Sequence, residues 1–99
     1  MRRLFKTIDE RLREIGFEKT IENEHGAFYE REEPRYYYTH CLNLIHRSNG
    51  EWLVQSYQKE DNSDGFNNAI GLTPYEMELA LKKIKKMKQA AGNDMACYL

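Results

Sequence analysis

Apolar residues recur near the start of the chain at Leu4, Phe5, Ile8, Leu12 and Ile15, a spacing that gathers them into one stripe of a helix. Lys6, Asp9, Glu10, Arg13 and Glu14 fall on the other side, and Lys6–Glu10 and Asp9–Arg13 are opposite charges four residues apart. Gly16 supplies the left-handed residue that closes such a helix, with Phe17 placed to fold back on Leu12. The pattern then changes to alternation. Residues 17–24 predict a strand with Phe17 and Ile21 on one face, His25-Gly26 a tight turn, and residues 27–32 an antiparallel return that brings Phe28 beside them. Glu33-Pro34-Arg35 interrupts the ladder, because proline lacks an amide donor and holds its predecessor extended. Residues 36–47 predict a long strand rich in β-formers.

Asn49-Gly50 suits a two-residue type I′ loop, which needs positive φ at both positions. That loop would set Ile45 opposite Val54, Leu44 opposite Gln55, Leu42 opposite Tyr57 and Arg47 opposite Trp52. One face then carries Tyr38, Leu42, Leu44, Leu53 and Tyr57, the more apolar set, which the helices should cover. The other carries Cys41, Asn43, Ile45, Trp52, Val54 and Ser56, and its Trp52–Val54–Ile45 cluster would need a cover from tail residues 95–99, a second copy or a partner. After a long polar connection at residues 59–71, Thr73 is an N-cap, Pro74 the first helical residue and Glu76 the second half of a capping box. Leu72 and Met77 stand at the positions of a hydrophobic staple. The helix should run to about Ala90, before Gly92, with Met77, Ala80, Leu81, Ile84 and Met87 inward and its lysines complementing the dipole near its end. Tyr75 and Leu79 lie roughly opposite that stripe. The elements predict a single α+β domain over residues 1–99, an antiparallel meander of three to four strands flanked by an N-terminal and a C-terminal helix in the order α-β-β-β-β-α.

Composition agrees with one folded core. Ninety-nine residues, 40% hydrophobic and 31% charged, are globular values. A chain of this length buries roughly two-thirds of its unfolded surface without metal or disulfide staples. Fifteen basic and sixteen acidic side chains leave a formal charge of −1. Their distribution is uneven: residues 9–33 hold nine carboxylates and residues 82–88 hold five lysines, so the molecule should be electrically bipolar. Cys41 and Cys97 make no disulfide framework and point to reduced thiols. The opening Met-Arg-Arg-Leu-Phe-Lys is no signal peptide and no stretch approaches ~18 apolar residues, so a soluble cytoplasmic protein is expected.

Candidate chemistry is sparse. Glu60-Asp61-Asn62-Ser63-Asp64-Gly65 resembles the start of a calcium loop, but Gly71 stands where the bidentate glutamate belongs. His40 and His46 share a strand face about 20 Å apart and Cys41 points the other way, so no metal site or cofactor is expected. The density of Glu18, Glu22, Glu24, Glu30, Glu32 and Glu33 suggests a solvated acidic face before an acid/base pair. No glycine-rich phosphate loop, nucleophile elbow or zinc-protease helix is present, and no enzyme is expected. Two binding surfaces remain. Tyr75 and Leu79 framed by Lys82 and Lys86, with Asp61, Asp64 and Phe66 on the long connection, make a candidate protein-docking site. Arg35, Tyr36, Tyr37 and Tyr38 with the lysines around Lys83 make a candidate nucleic-acid surface, combining stacking aromatics with a basic track. A homodimer through a sheet edge or the Trp52 face is a further option.

Residues 62–88, from Asn-Ser-Asp-Gly-Phe-Asn-Asn-Ala-Ile-Gly through Leu-Thr-Pro-Tyr-Glu-Met-Glu-Leu-Ala-Leu-Lys-Lys-Ile-Lys-Lys-Met-Lys, resemble the C-terminal part of small phage and prophage accessory proteins of low-GC bacteria. Leu-Phe-Lys-Thr-Ile-Asp-Glu and Ile-Gly-Phe-Glu-Lys are similar to their beginning. The resemblance implies a non-enzymatic protein that works by protein–protein interaction with a host or phage protein, including inhibition of a defence system such as a CRISPR nuclease. It brings no catalytic residues with it.

Overall fold

The computed structural model describes residues 6–60 and 68–96. In chain order these form helix α1 (Ile8–Glu14), strands β1 (Glu18–Asn23), β2 (Gly26–Glu33), β3 (Tyr38–His46), β4 (Trp52–Glu60) and β5 (Asn68–Ala69), and helix α2 (Pro74–Ala96). The strands make one antiparallel sheet in the order β1-β2-β3-β4-β5. The α+β meander between two helices is therefore present, with β5 added inside the stretch expected to be a plain connection.

Helix α1 begins where the Thr7 hydroxyl accepts the Glu10 amide (3.1 Å). It ends in a Schellman pair: the Phe17 amide donates to the Leu12 carbonyl and the Gly16 amide to that of Arg13, both at 2.9 Å, with Gly16 at φ +100°. Phe17 thus folds back toward Leu12 as expected, and both are buried. Leu4 and Phe5 lie outside the described residues.

Strand β1 departs from simple alternation. The register shifts between Lys19 and Ile21, so Thr20 is an extra residue whose hydroxyl donates to the Phe28 carbonyl (3.1 Å). The bulge turns Lys19 and Glu22 toward the helices and Ile21 to the opposite face, beside Phe28. Phe17 and Ile21, expected on one face, are on opposite faces for this reason.

The β3–β4 register also differs from expectation by one residue. The Gly50 amide donates to the Arg47 carbonyl (2.9 Å) and the Arg47 amide to that of Glu51 (2.8 Å), giving a three-residue loop at Ser48, Asn49 and Gly50. Only Gly50 of the three has positive φ (+91°), which is a type I turn closed by a glycine bulge and not type I′. Leu44 consequently pairs with Val54, Leu42 with Ser56, His46 with Trp52 and Cys41 with Tyr57. One slip moves every β4 side chain to the other face. Val54 and Trp52 join the helix-covered side, where Trp52 stacks on His46 (4.4 Å between centroids), while Leu53 and Tyr57 go to the open side. Trp52 thus packs against the core and leaves the face on which it was expected to stand with Cys41, Asn43 and Ile45.

Both helices pack on one face. The core there is Leu12, Phe17, Ala27, Tyr29, Leu42, Leu44, Leu79, Ala80 and Ile84, where each fully buried leucine stabilises by about 1.5–3 kcal/mol. Helix α2 opens with the expected capping box: Thr73 N–H to Glu76 Oε1 (2.8 Å) and Glu76 N–H to Thr73 Oγ1 (3.1 Å). Its inward stripe is Glu76, Leu79, Ala80, Lys83, Ile84 and Met87, rotated from the expected one. Leu79 is 1% exposed, whereas Met77 and Leu81 are 38% and 55% exposed. The helix continues through Gly92 to Ala96, so the lysines at 82–88 sit along its middle and not at its carbonyl end.

Candidate interaction surfaces

Arg31 on β2 organises the polar groups inside the core. Its NH1 donates to Glu76 Oε2 (3.0 Å) and the Ile15 carbonyl (3.1 Å), its NH2 meets His40 Nδ1 (3.2 Å), and its guanidinium lies 4.3 Å over the Phe17 ring. Its Nε is 2.9 Å from Glu33 Oε1 but out of line for a hydrogen bond, so that contact is held by charge alone. Burial would raise the Glu76 carboxyl, but the Thr73 amide and Arg31 outweigh it and hold the group below its usual range. His40 is 1% exposed, and burial followed by the Arg31 charge lowers its pKa. Since Arg31 can only donate, Nδ1 is the acceptor, and Nε2 carries the proton toward Ser56 Oγ at 2.6 Å. This is the reverse of the polarity a base–nucleophile pair requires, because the imidazole donates to the hydroxyl it would have to deprotonate.

A second cluster ties α1, β1 and α2 together. Asp9 accepts from the Tyr29 hydroxyl (2.6 Å) and Lys19 (2.9 Å), and Lys83 bridges Asp9 (3.3 Å) and Glu22 (2.8 Å). Lys83 is therefore turned inward, with its side chain 13% exposed, and is removed from the expected nucleic-acid surface. Asp9, expected to pair with Arg13 on the solvent side, is recruited here instead.

The other sequence-predicted residues do not converge. Tyr75 is 43% exposed on α2, but Leu79 belongs to the core and cannot accompany it. Asp61, Asp64 and Phe66 lie outside the described residues. Arg35, Tyr36 and Tyr37 form the tip of the β2–β3 hairpin, turned by the Tyr36 amide on the Glu33 carbonyl (3.0 Å) with Tyr37 at φ +57°, so β3 starts at Tyr38 and not at Tyr36. Tyr36 stacks on Tyr38 at 6.2 Å and is 67% exposed. That tip is at the Glu33 end of β2, whereas Lys83 anchors α2 at Glu22, opposite Ala27. Six residues of strand, about 20 Å, separate the tyrosines from the lysine-bearing turn, so the expected single aromatic-and-basic surface is not formed. Among the described residues no group of three or more His, Cys, Asp or Glu is placed to hold a metal ion.

What the fold does bring together was not anticipated. A cleft of about 360 Å³ between the helices is lined by Lys6, Ile8 and Arg11 of the α1 segment and by Lys82, Lys85, Lys86 and Gln89 of α2. Five of these seven are cationic and none is acidic. Lys6 pairs with Glu14 and Lys82 with Glu78 (3.3 Å) at its rim, whereas Arg11, Lys85 and Lys86 have no ion pair among the described residues. The sequence does hold a signal: positions 82, 85, 86 and 89 follow helical spacing on one stripe, one step round from the inward one.

No family model, no curated protein and no solved structure matches the chain.

Proposed function

We propose that the protein is a non-enzymatic interaction protein that acts by occupying an acidic segment of a partner protein with the cleft between α1 and α2. The observation that carries this is the cleft's lining, five cationic side chains around Ile8 with no carboxylate, on a chain of net charge −1. Lysine stems and Ile8 give the cleft apolar walls below charged heads, which suits an amphipathic acidic peptide. The resemblance of residues 62–88 to phage accessory proteins supports a host target, a component of a defence system such as a CRISPR nuclease among them.

Nucleic acid is the second reading, and the exposed Tyr36–Tyr38 stack beside Arg35 favours it. The two separate by fluorescence anisotropy with a labelled poly-glutamate peptide and a labelled single-stranded oligonucleotide. The first reading predicts peptide binding that weakens about tenfold or more in Arg11→Glu, Lys85→Glu and is indifferent to Tyr36→Ala. Tighter oligonucleotide binding, falling steeply with salt and lost in Tyr36→Ala, would replace it with the second. Binding of neither probe refutes both.

A further inference from the structure

The helices leave the other face of the sheet bare, and apolar side chains stand on it around a central Asn43–Gln55 pair. Strand pairing puts Ile21, Phe28, Ile45, Leu53, Cys41 and Tyr57 on that side. Ile21 is 55% exposed and Leu53 41%. A sheet with apolar side chains on both faces calls for a layer on both. The charges on the bare face are divided by half: Glu18, Glu30 and Glu32 lie on β1 and β2, while Lys59 lies on β4, in one cross-strand row with Glu32 and Thr39.

We infer that this open face is the interface of a two-fold homodimer, the cover being a second copy of the chain. A two-fold axis parallel to the strands lays the β1–β2 half of one copy on the β3–β4 half of the other. Ile21 and Phe28 then interdigitate with Ile45 and Leu53 of the second copy, one pleat along, and Glu32 comes over Thr39, one strand (about 4.8 Å) from Lys59. The contact is isologous, so each favourable meeting occurs twice. Acid on one half and a cation on the other make the face complementary to itself under this operation. An axis across the strands would instead lay each half on its own copy, the acid-bearing β1–β2 half on itself. Four strands about 4.8 Å apart and nine residues at about 3.3 Å offer roughly 600 Å² of footprint, close to the ~800 Å² per partner of a specific interface. The basic cleft lies on the opposite side of the molecule, so dimerisation leaves it open.

Sedimentation equilibrium of the full chain tests this. The expected mass is twice 11.8 kDa. Leu53→Glu, at an exposed position, should return the monomer mass with an unchanged circular dichroism spectrum. Ile21→Lys, on the edge strand, serves the same purpose if that variant misfolds. Lys59→Glu should raise the dissociation constant about tenfold, and Glu32→Lys added to it should restore the dimer. A mass of 11.8 kDa at all concentrations up to ~100 μM overturns the inference. So does a dimer that survives both apolar substitutions, or one that dissociates only on Lys85→Glu, which would put the interface at the helices.

Discussion

Gly26 and Gly50 both hold positive φ, at +132° and +91°, yet they are not equivalent. A Cβ on Gly26 would lie 1.9 Å from the Leu44 carbonyl oxygen, a backbone atom that cannot move without parting β2 from β3. A Cβ on Gly50 meets nothing within 4 Å. Gly50→Ala should therefore cost only the strain of a left-handed alanine, about 1–2 kcal/mol, whereas Gly26→Ala should cost on the order of 3 kcal/mol or more. Urea unfolding of the two variants measures the difference, and equal midpoints would show that the ladder yields at Gly26. Single residues also mark where sequence reasoning succeeded and failed. Gly16, Thr73, Pro74 and Glu76 act through their immediate neighbours, so their roles in ending α1 and starting α2 were legible. Thr20 gave no warning of its bulge, because any residue can be the extra one and only the pairing with Phe28 reveals it.

The helices are held to the sheet by charge as well as by the apolar core. Glu76, Glu22 and Asp9 have carboxyls below their usual values: burial raises each, and their hydrogen bonds, to Thr73 and Arg31, to Lys83 and Lys19, and to Tyr29 and Lys19, outweigh it. A carboxylate depressed in the folded state stabilises fully above its unfolded value, near 4.5 for Glu and 3.8 for Asp, and loses that contribution as pH falls through the folded one. His40, also depressed, acts in the same direction, because below the ordinary histidine value of 6.5 the unfolded chain takes up a proton that the buried ring refuses. Lys19 is raised by Asp9 and Glu22, and Tyr29 by burial and Asp9, so their contributions disappear above about pH 10. Burial likewise raises the Cys41 thiol from its ordinary 9.0, so thermal unfolding should show a plateau between about pH 6.5 and 9, a shallow decline below it and a steep one below pH 4.5. An unchanged midpoint down to pH 3 would mean that these pairs do not distinguish folded from unfolded chain. The same pairs explain why α2 could not be oriented from its apolar residues. A wheel drawn through Met77, Ala80, Leu81 and Ile84 treats Glu76 and Lys83 as outward, and only the positions of Arg31, Asp9 and Glu22 turn them in. The β3–β4 loop failed for a related reason, since Asn-Gly suits both loop types and the choice between them rests on pairing beyond the turn.

On the scale of the molecule, charge is sorted by place. Carboxylates gather on the β1–β2 half of the open face and cations in the cleft behind it, two surfaces that a net charge of −1 conceals. The uneven run of acids and lysines was visible in the sequence. The cleft was not, because Lys6 and Arg11 reach Lys85 and Lys86 only through the packing of the two helices. The ion pairs that fix this packing close long stretches of chain: Arg31–Glu76 spans 45 residues and Asp9–Lys83 spans 74. The strands, by contrast, pair only with sequence neighbours. Closing the longer loops costs more entropy before any contact repays it, so the meander should be formed in the rate-limiting step of folding and α2 should dock after it. Lys83→Met would then quicken unfolding and leave the folding rate nearly unchanged, while Val54→Ala would slow folding, a contrast that stopped-flow measurements read directly. Slower folding of the Lys83 variant would reverse that order. Lys83, met first as a lysine in a basic run, is thus a clasp between the two ends of the chain, one that on this order should close last and open first.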